Sequence, residues 1–307
     1  MKFKILFVLI AIVAVSCGKL GDKAKDALDA VSDLGSDDAG NVIAYNNALV
    51  DYMNEASNKI TRAGEDYEKM STMVAKKQKP RMFIANAFIG SGVNIDRDRD
   101  GIRLLEPGNS LPSDIKEELT NEVKATSEAY ENTQEAYKSF KAYYDNEDFK
   151  DDDWAKGKEL VDVIEKNIMA FYEGRSNSYK ILKPVASAAE VKLLEDHPLK
   201  ESLIASKTDL GLAEEIVNIV YAEQIDMDAL TAKYNELEAN YTKHKDLTPD
   251  LLKEHNKNLY YDNFYEDVEE FLGEVRKSKR DEKITEREAE YIGREYQSLI
   301  GYYNSFV

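Results

Sequence analysis

One stripe of side chains constrains this chain more than any other feature. Between Ser113 and Phe149, the residues Leu119, Val123, Thr126, Tyr130, Thr133, Tyr137, Phe140 and Tyr144 recur at alternating steps of four and three. That spacing returns side chains to one face of an α-helix and does not fit the two-residue period of a strand. It predicts a single helix of about 36 residues, roughly 54 Å long. A seam of that length is buried only by packing lengthwise on other long helices. The fold class that follows is all-α, an elongated antiparallel bundle of long helices.

The rest of the chain agrees with that choice. Charged residues make up 33 % of it, with only 15 Gly and 6 Pro in 307 residues, a composition suited to helices. No stretch alternates apolar and polar residues for long enough to predict a strand. Pro80, Pro107, Pro112, Pro184, Pro198 and Pro249 punctuate the periodic segments. Ser113 fits an N-cap. Asp151, Asp152 and Asp153 crowd acid before a periodic run to about Leu182, as a helix start favours. Thr248 precedes a first-turn proline, Pro249, and Thr285 with Glu288 fits a capping box.

The N-terminus predicts an address. Lys2 and Lys4 precede an unbroken apolar run from Ile5 to Val15, too short to span a bilayer and suited to an export signal. The residues Ala14-Val15-Ser16-Cys17 resemble the lipobox of bacterial lipoproteins, in which the Cys thiol takes a diacylglycerol and the signal is cut just before it. Ala14 departs from the commoner Leu; the small Ser16 fits. The resemblance implies a signal peptide over 1–16 and lipid attachment at Cys17; the small, polar and charged residues that follow read as a flexible tether, so that 17–40 is lipidated Cys and tether and the periodic segments make a helical-bundle domain over 41–307. It also accounts for a lone cysteine in an exported chain, since the lipid occupies the thiol. Gly18, where Asp marks inner-membrane retention in some lipoproteins, favours the outer membrane with the body facing the periplasm.

Charge narrows the partners. The net charge is −18, and removing residues 1–16, which hold two lysines and no acid, makes it −20. Such a surface repels nucleic acid, so none is expected. The expected partners are the membrane, through the lipid at Cys17, and an envelope protein.

Three phrases repeat Tyr, Leu and Tyr within two helical turns: Tyr45, Leu49 and Tyr52; Tyr234, Leu237 and Tyr241; Tyr296, Leu299 and Tyr303. They fit helix–helix packing with hydroxyls at a wet edge, or an aromatic groove for a glycan or peptide; packing is the simpler reading. With the exported start, the helix "NVIAYNNALVDYMNEA" and the closing "YQSLIGYYNSFV" resemble the YiiG-like bacterial lipoproteins, a domain of unknown function. That resemblance, over residues 40 to 307, implies an all-helical exported domain. It carries no activity and no catalytic residues.

Chemistry is thinly signposted. Asp96, Asp98, Asp100 and Gly101 match the opening of a calcium loop. The second half fails, because Pro107 stands at the twelfth position and Glu106 and Ile102 fall early. Arg97 and Arg99 support a plainer reading, an exposed turn with compensating charges. His197, His244 and His255 lack the spacing of helical metal motifs and read as surface or cap residues. Gly90-Ser91-Gly92 lacks the third glycine of a nucleotide loop. Trp154 reads as a packing residue near a helix start. No cofactor and no catalytic residue are expected. The reading is a lipid-anchored binding or scaffold module, with an envelope hydrolase or a calcium-responsive binder as alternatives.

Overall fold

The computed structural model describes residues 36–78, 87–88, 93–108, 111, 113–222, 224–280 and 283–307. The signal of 1–16, Cys17, the tether up to residue 35, Pro80, Pro112 and Gly90 to Gly92 lie outside them. The described helices are α1 (Ser36–Lys76), α2 (Ser113–Asp145), the short α3 (Phe149–Asp152), α4 (Ala155–Leu193), α5 (Lys200–Val220), α6 (Met227–His244), the short α7 (Pro249–Glu254), α8 (Asn258–Lys279) and α9 (Glu286–Phe306). The fold is all-α. Among the described residues the one extended pairing is an isolated bridge between Arg99 and Ile102. No described helix is long and apolar enough to cross a membrane.

Where the sequence predicts one domain over 41–307, the chain packs as two compact units, and the boundary falls inside α4, after Ala189. The tether also ends sooner than predicted. Helix α1 already starts at Ser36, and Ala39 is fully buried, because its small apolar side chain joins Val42 and Tyr45 in a core.

In the first unit, α1, α2 and α4 share two clusters of buried side chains. The α2 stripe lies where the spacing puts it as far as Phe140, with Leu119, Val123, Tyr130, Tyr137 and Phe140 buried; at its end Tyr143 is buried and Tyr144 only half-buried. Helix α4 runs antiparallel to α2, with Gly174 against Thr126 and Gly157 against Tyr143. Helices α1 and α2 progress in the same direction, since Tyr52 lies beside Ser127 and Asp66 meets Tyr137. Two such helices need a long connection, and residues 77–112 supply it.

Helix α2 stops at Asp145, short of the predicted Phe149. Glu147 turns left-handed at φ 62°, and Phe149 folds over to stack on Trp154 with ring centroids 4.4 Å apart. The acidic run acts through one residue: Asp152 accepts hydrogen bonds from the Trp154 and Lys156 amides at 3.0 and 2.9 Å and caps α4. Pro184 does not end its helix. It sits inside α4, where Leu182, Val185 and Ala186 are buried, and this packing outweighs the backbone bond that proline forgoes.

The second unit is an up-down-up-down bundle of α5, α6, α8 and α9. Each neighbouring pair is antiparallel, as contacts at both ends show: Asp209 with His244 and Glu215 with Lys233 for α5 and α6, Tyr261 with Phe306 and Asp267 with Ser298 for α8 and α9. Thr285 and Glu288 form the predicted capping box of α9. Thr248 precedes α7 as expected but does not cap it. Its backbone is left-handed at φ 46°, and its Oγ1 pairs with Ser202 Oγ instead, at 2.5 Å.

Candidate functional site

The tyrosine phrases are core. Tyr45, Leu49, Tyr52, Tyr234, Leu237, Tyr296, Leu299 and Tyr303 are buried; Tyr241 is the exception, half-buried at the edge of an open cavity, with its hydroxyl donating to Glu269 at 2.8 Å. The hydroxyls are less wet than expected; that of Tyr45 donates to the Leu104 carbonyl at 2.8 Å.

The acidic loop forms a tight turn. Asp100 and Gly101 both have positive φ, 54° and 86°, and Arg99 and Ile102 exchange backbone hydrogen bonds at 2.9 and 3.0 Å. Two consecutive positive φ values make a type I′ turn, for which Asp-Gly is a preferred pair. Asp98 accepts the Gly101 amide at 2.7 Å. The carboxylates of Asp96, Asp98 and Asp100 are exposed and do not gather to metal-ligand spacing.

The histidines differ from one another. His197 Nδ1 accepts from the Leu199 amide at 3.1 Å, and His255 ends α7, both as expected. His244 does not fit the surface or cap reading. It closes α6, and its Nδ1 lies 2.8 Å from Oδ2 of Asp209, which is fully buried in the middle of α5. The Tyr265 hydroxyl donates to the same oxygen at 2.8 Å. One turn earlier on α8, Tyr261 donates to the His244 carbonyl at 2.6 Å, its ring centroid 4.7 Å from that of Tyr265. Three helices thus meet at one carboxylate. The α5 face there is small, with Ser202 and Ser206 buried, which allows the close approach.

Burial pushes the Asp209 carboxyl up from its ordinary value, against the hydrogen bonds from His244 and Tyr265 that pull it down. Burial also pushes up the hydroxyls of Tyr261 and Tyr265, so both stay protonated donors. His244 is therefore oriented by a buried acid that two fixed tyrosines support.

In front of the histidine lies an open groove of about 780 Å³ between α5 and α6. Lys200, Thr208, Asn240, Lys243 and His244 give it donors, Glu201 is its one acid, and Ile204, Ala205 and Leu247 line the apolar part. In a chain of net charge −18 this is a local reversal of sign. A fixed imidazole in a groove that two lysines also line can hold a carboxylate or phosphate, or exchange a proton with a bound molecule.

Sequence reasoning missed Asp209 and Tyr265. The available signal was an Asp in the otherwise small and apolar face of "LIASKTDLGLAEEIV".

A family model described as a domain of unknown function, DUF6845, matches residues 33–196, a little over half of the chain. The chain belongs to the DUF6845 family. The match takes in the described part of the first unit and runs a few residues past the boundary, so the groove lies beyond it. The uncharacterized protein YiiG of Escherichia coli K12 is 30 % identical over 99 residues, 31 % of this chain and 28 % of that protein. The aligned part is thus under a third of either. Two solved structures share the fold. One is an alpha helical protein from Bacteroides fragilis, at a TM-score of 0.55 and 19 % identity, covering 86 % of this chain and 98 % of that one. The other is an uncharacterized DUF3829-like protein from Bacteroides thetaiotaomicron, at 0.53 and 20 %, covering 85 % and 96 %. At such identities they bear on this DUF6845 chain through fold alone.

Proposed function

We propose that this DUF6845 protein is a binding module of the cell envelope, anchored by lipid on Cys17 at the outer membrane with its body in the periplasm. Its ligand is a small anionic molecule taken up in the α5–α6 groove. One observation carries the ligand reading: Lys200, Lys243 and His244 line the groove, with the imidazole fixed by buried Asp209. The fixed imidazole lowers the ordering cost of binding, and two cations favour a carboxylate or phosphate over a neutral ligand.

The test is a thermal-shift screen of carboxylated and phosphorylated metabolites, followed by calorimetry on hits. Lys243→Glu is expected to weaken a hit by about tenfold or more while leaving the unliganded melting temperature unchanged. A hit that binds Lys243→Glu as tightly as the parent removes the groove as the site.

The lipid reading makes a separate prediction. Cells fed labelled palmitate are expected to label the parent protein and not Cys17→Ala, which is expected to keep its signal uncut. Label retained on Cys17→Ala overturns it.

The Asp209–His244 pair favours a second reading, an envelope hydrolase, because a carboxylate-held imidazole is a general base. Turnover of a groove ligand that His244→Gln abolishes, with binding retained, selects this reading.

A further inference from the structure

A second set of carboxylates lies on another helix pair. Asp267 and Glu270 stand three residues apart on α8, a spacing that puts both on one face. Glu295 comes from α9, which packs antiparallel there, Asp267 meeting Ser298. One oxygen from each of the three acids lies within 4.8 Å of the others. None of the three forms an ion pair with a described residue.

Acidic residues gather on many surfaces of a chain this negative, so proximity alone decides nothing. The deciding observation is Asp267 itself. It is 8 % exposed, Oδ1 accepts from Ser298 Oγ at 3.2 Å, and Oδ2 is buried with no hydrogen-bond partner. An orphaned carboxylate oxygen is costly without a compensating charge. Here it belongs to the inner member of a three-acid cluster whose outer members, Glu270 and Glu295, are exposed and half-buried. Such an arrangement has a closed inner end and an open outer end, as a cation site filled from solvent has.

We infer that Asp267, Glu270 and Glu295 form a binding site for a hard divalent cation, calcium first, that bridges α8 and α9. All the donors are oxygens, which suits calcium, magnesium or manganese and disfavours the softer metals that seek His or Cys. Two of the ligands are long, flexible Glu side chains open to water, which suits the larger, loosely coordinated calcium better than octahedral magnesium. Water completes the shell on the exposed side. The site is separate from the Asp96 loop and shares no residue with the α5–α6 groove.

The experiment uses the full chain, stripped with chelator and melted at matched ionic strength with calcium, magnesium, manganese or sodium salts. Calcium at about a hundredfold above its dissociation constant is expected to raise the melting temperature by about 5 °C. Glu295→Gln and Glu270→Gln, at sites open enough to spare folding, are expected to remove most of that increment. Asp98→Asn is expected to leave it intact. Asp267→Asn is read only as the difference with and without calcium, since relieving a buried charge shifts the metal-free protein as well. Absence of any cation-specific shift up to about ten millimolar, beyond the range of weak extracellular calcium modules, overturns the proposal. So does an increment that survives in both Glu variants, which marks general screening.

Discussion

Gly174→Ala is expected to destabilise the first unit by about 2 kcal/mol, although alanine is the better helix former by about 1 kcal/mol. A Cβ at Gly174 would lie 2.2 Å from Thr126 Oγ1, 3.3 Å from Thr126 Cβ and 3.5 Å from its Cα. Rotating Thr126 gives no escape. Its hydroxyl is tied to the Glu122 carbonyl at 2.7 Å and the side chain is fully buried, so either other rotamer gives up that hydrogen bond and moves the methyl into packed surroundings. The helices must therefore move apart, which loosens contacts on both sides of the crossing. Thr126→Ala removes the oxygen and keeps a tolerable 3.3 Å contact. The double variant is expected to recover more than half of the loss. Chemical denaturation of the four corners of this cycle measures it. Additive losses would mean that the two helices do not meet as closely as described.

The same crossing shows what the sequence makes legible. The α2 stripe is a local pattern, set by which faces of one helix are apolar, so spacing alone recovers it. The capping box of Thr285 and Glu288 is local too. Helix ends were less legible, because tertiary contacts override the signals: Phe149 leaves α2 to stack on Trp154, and Pro184 is carried by the packing of Val185 and Ala186. The Asp-Gly turn fits the plainer of its two readings, and both arose for a physical reason. Gly after alternating acids serves a cation loop, and Asp-Gly serves a type I′ turn, so the same letters answer both demands.

The sites were hidden because they join residues far apart in the chain. Asp209 meets His244 and Tyr265 across 35 and 56 positions, and Asp267 meets Ser298 across 31. In a sequence with 59 acids, nothing local separates a buried Asp from an exposed one except the apolar character of its helix face.

Asp209→Ala is expected to cost about 3 kcal/mol in the second unit. It leaves the Tyr265 hydroxyl and the His244 imidazole facing a void with no acceptor, and buried groups without partners are costly to a fold. Asp209→Asn keeps the shape and one acceptor oxygen, and is expected to cost far less. The comparison of Asn with the parent also has a pH signature. Burial raises the Asp209 carboxyl, so the folded chain holds that proton more tightly than the unfolded one does. Its contribution to stability is therefore full below the ordinary carboxylate range, near about pH 4, and is lost as pH climbs through the raised value. His244 and Tyr265 face it: the raised tyrosine keeps its proton throughout, and whatever the imidazole loses with its carboxylate partner is part of the measured difference. The stability of Asp209→Asn relative to the parent is thus expected to rise as pH climbs above about 4. Urea midpoints across that window measure it. A constant difference would mean that the carboxylate is as well held when charged as when protonated. A rising difference would mean that the network keeps its acid at a cost in stability, as is expected where the acid serves to orient an imidazole toward a ligand.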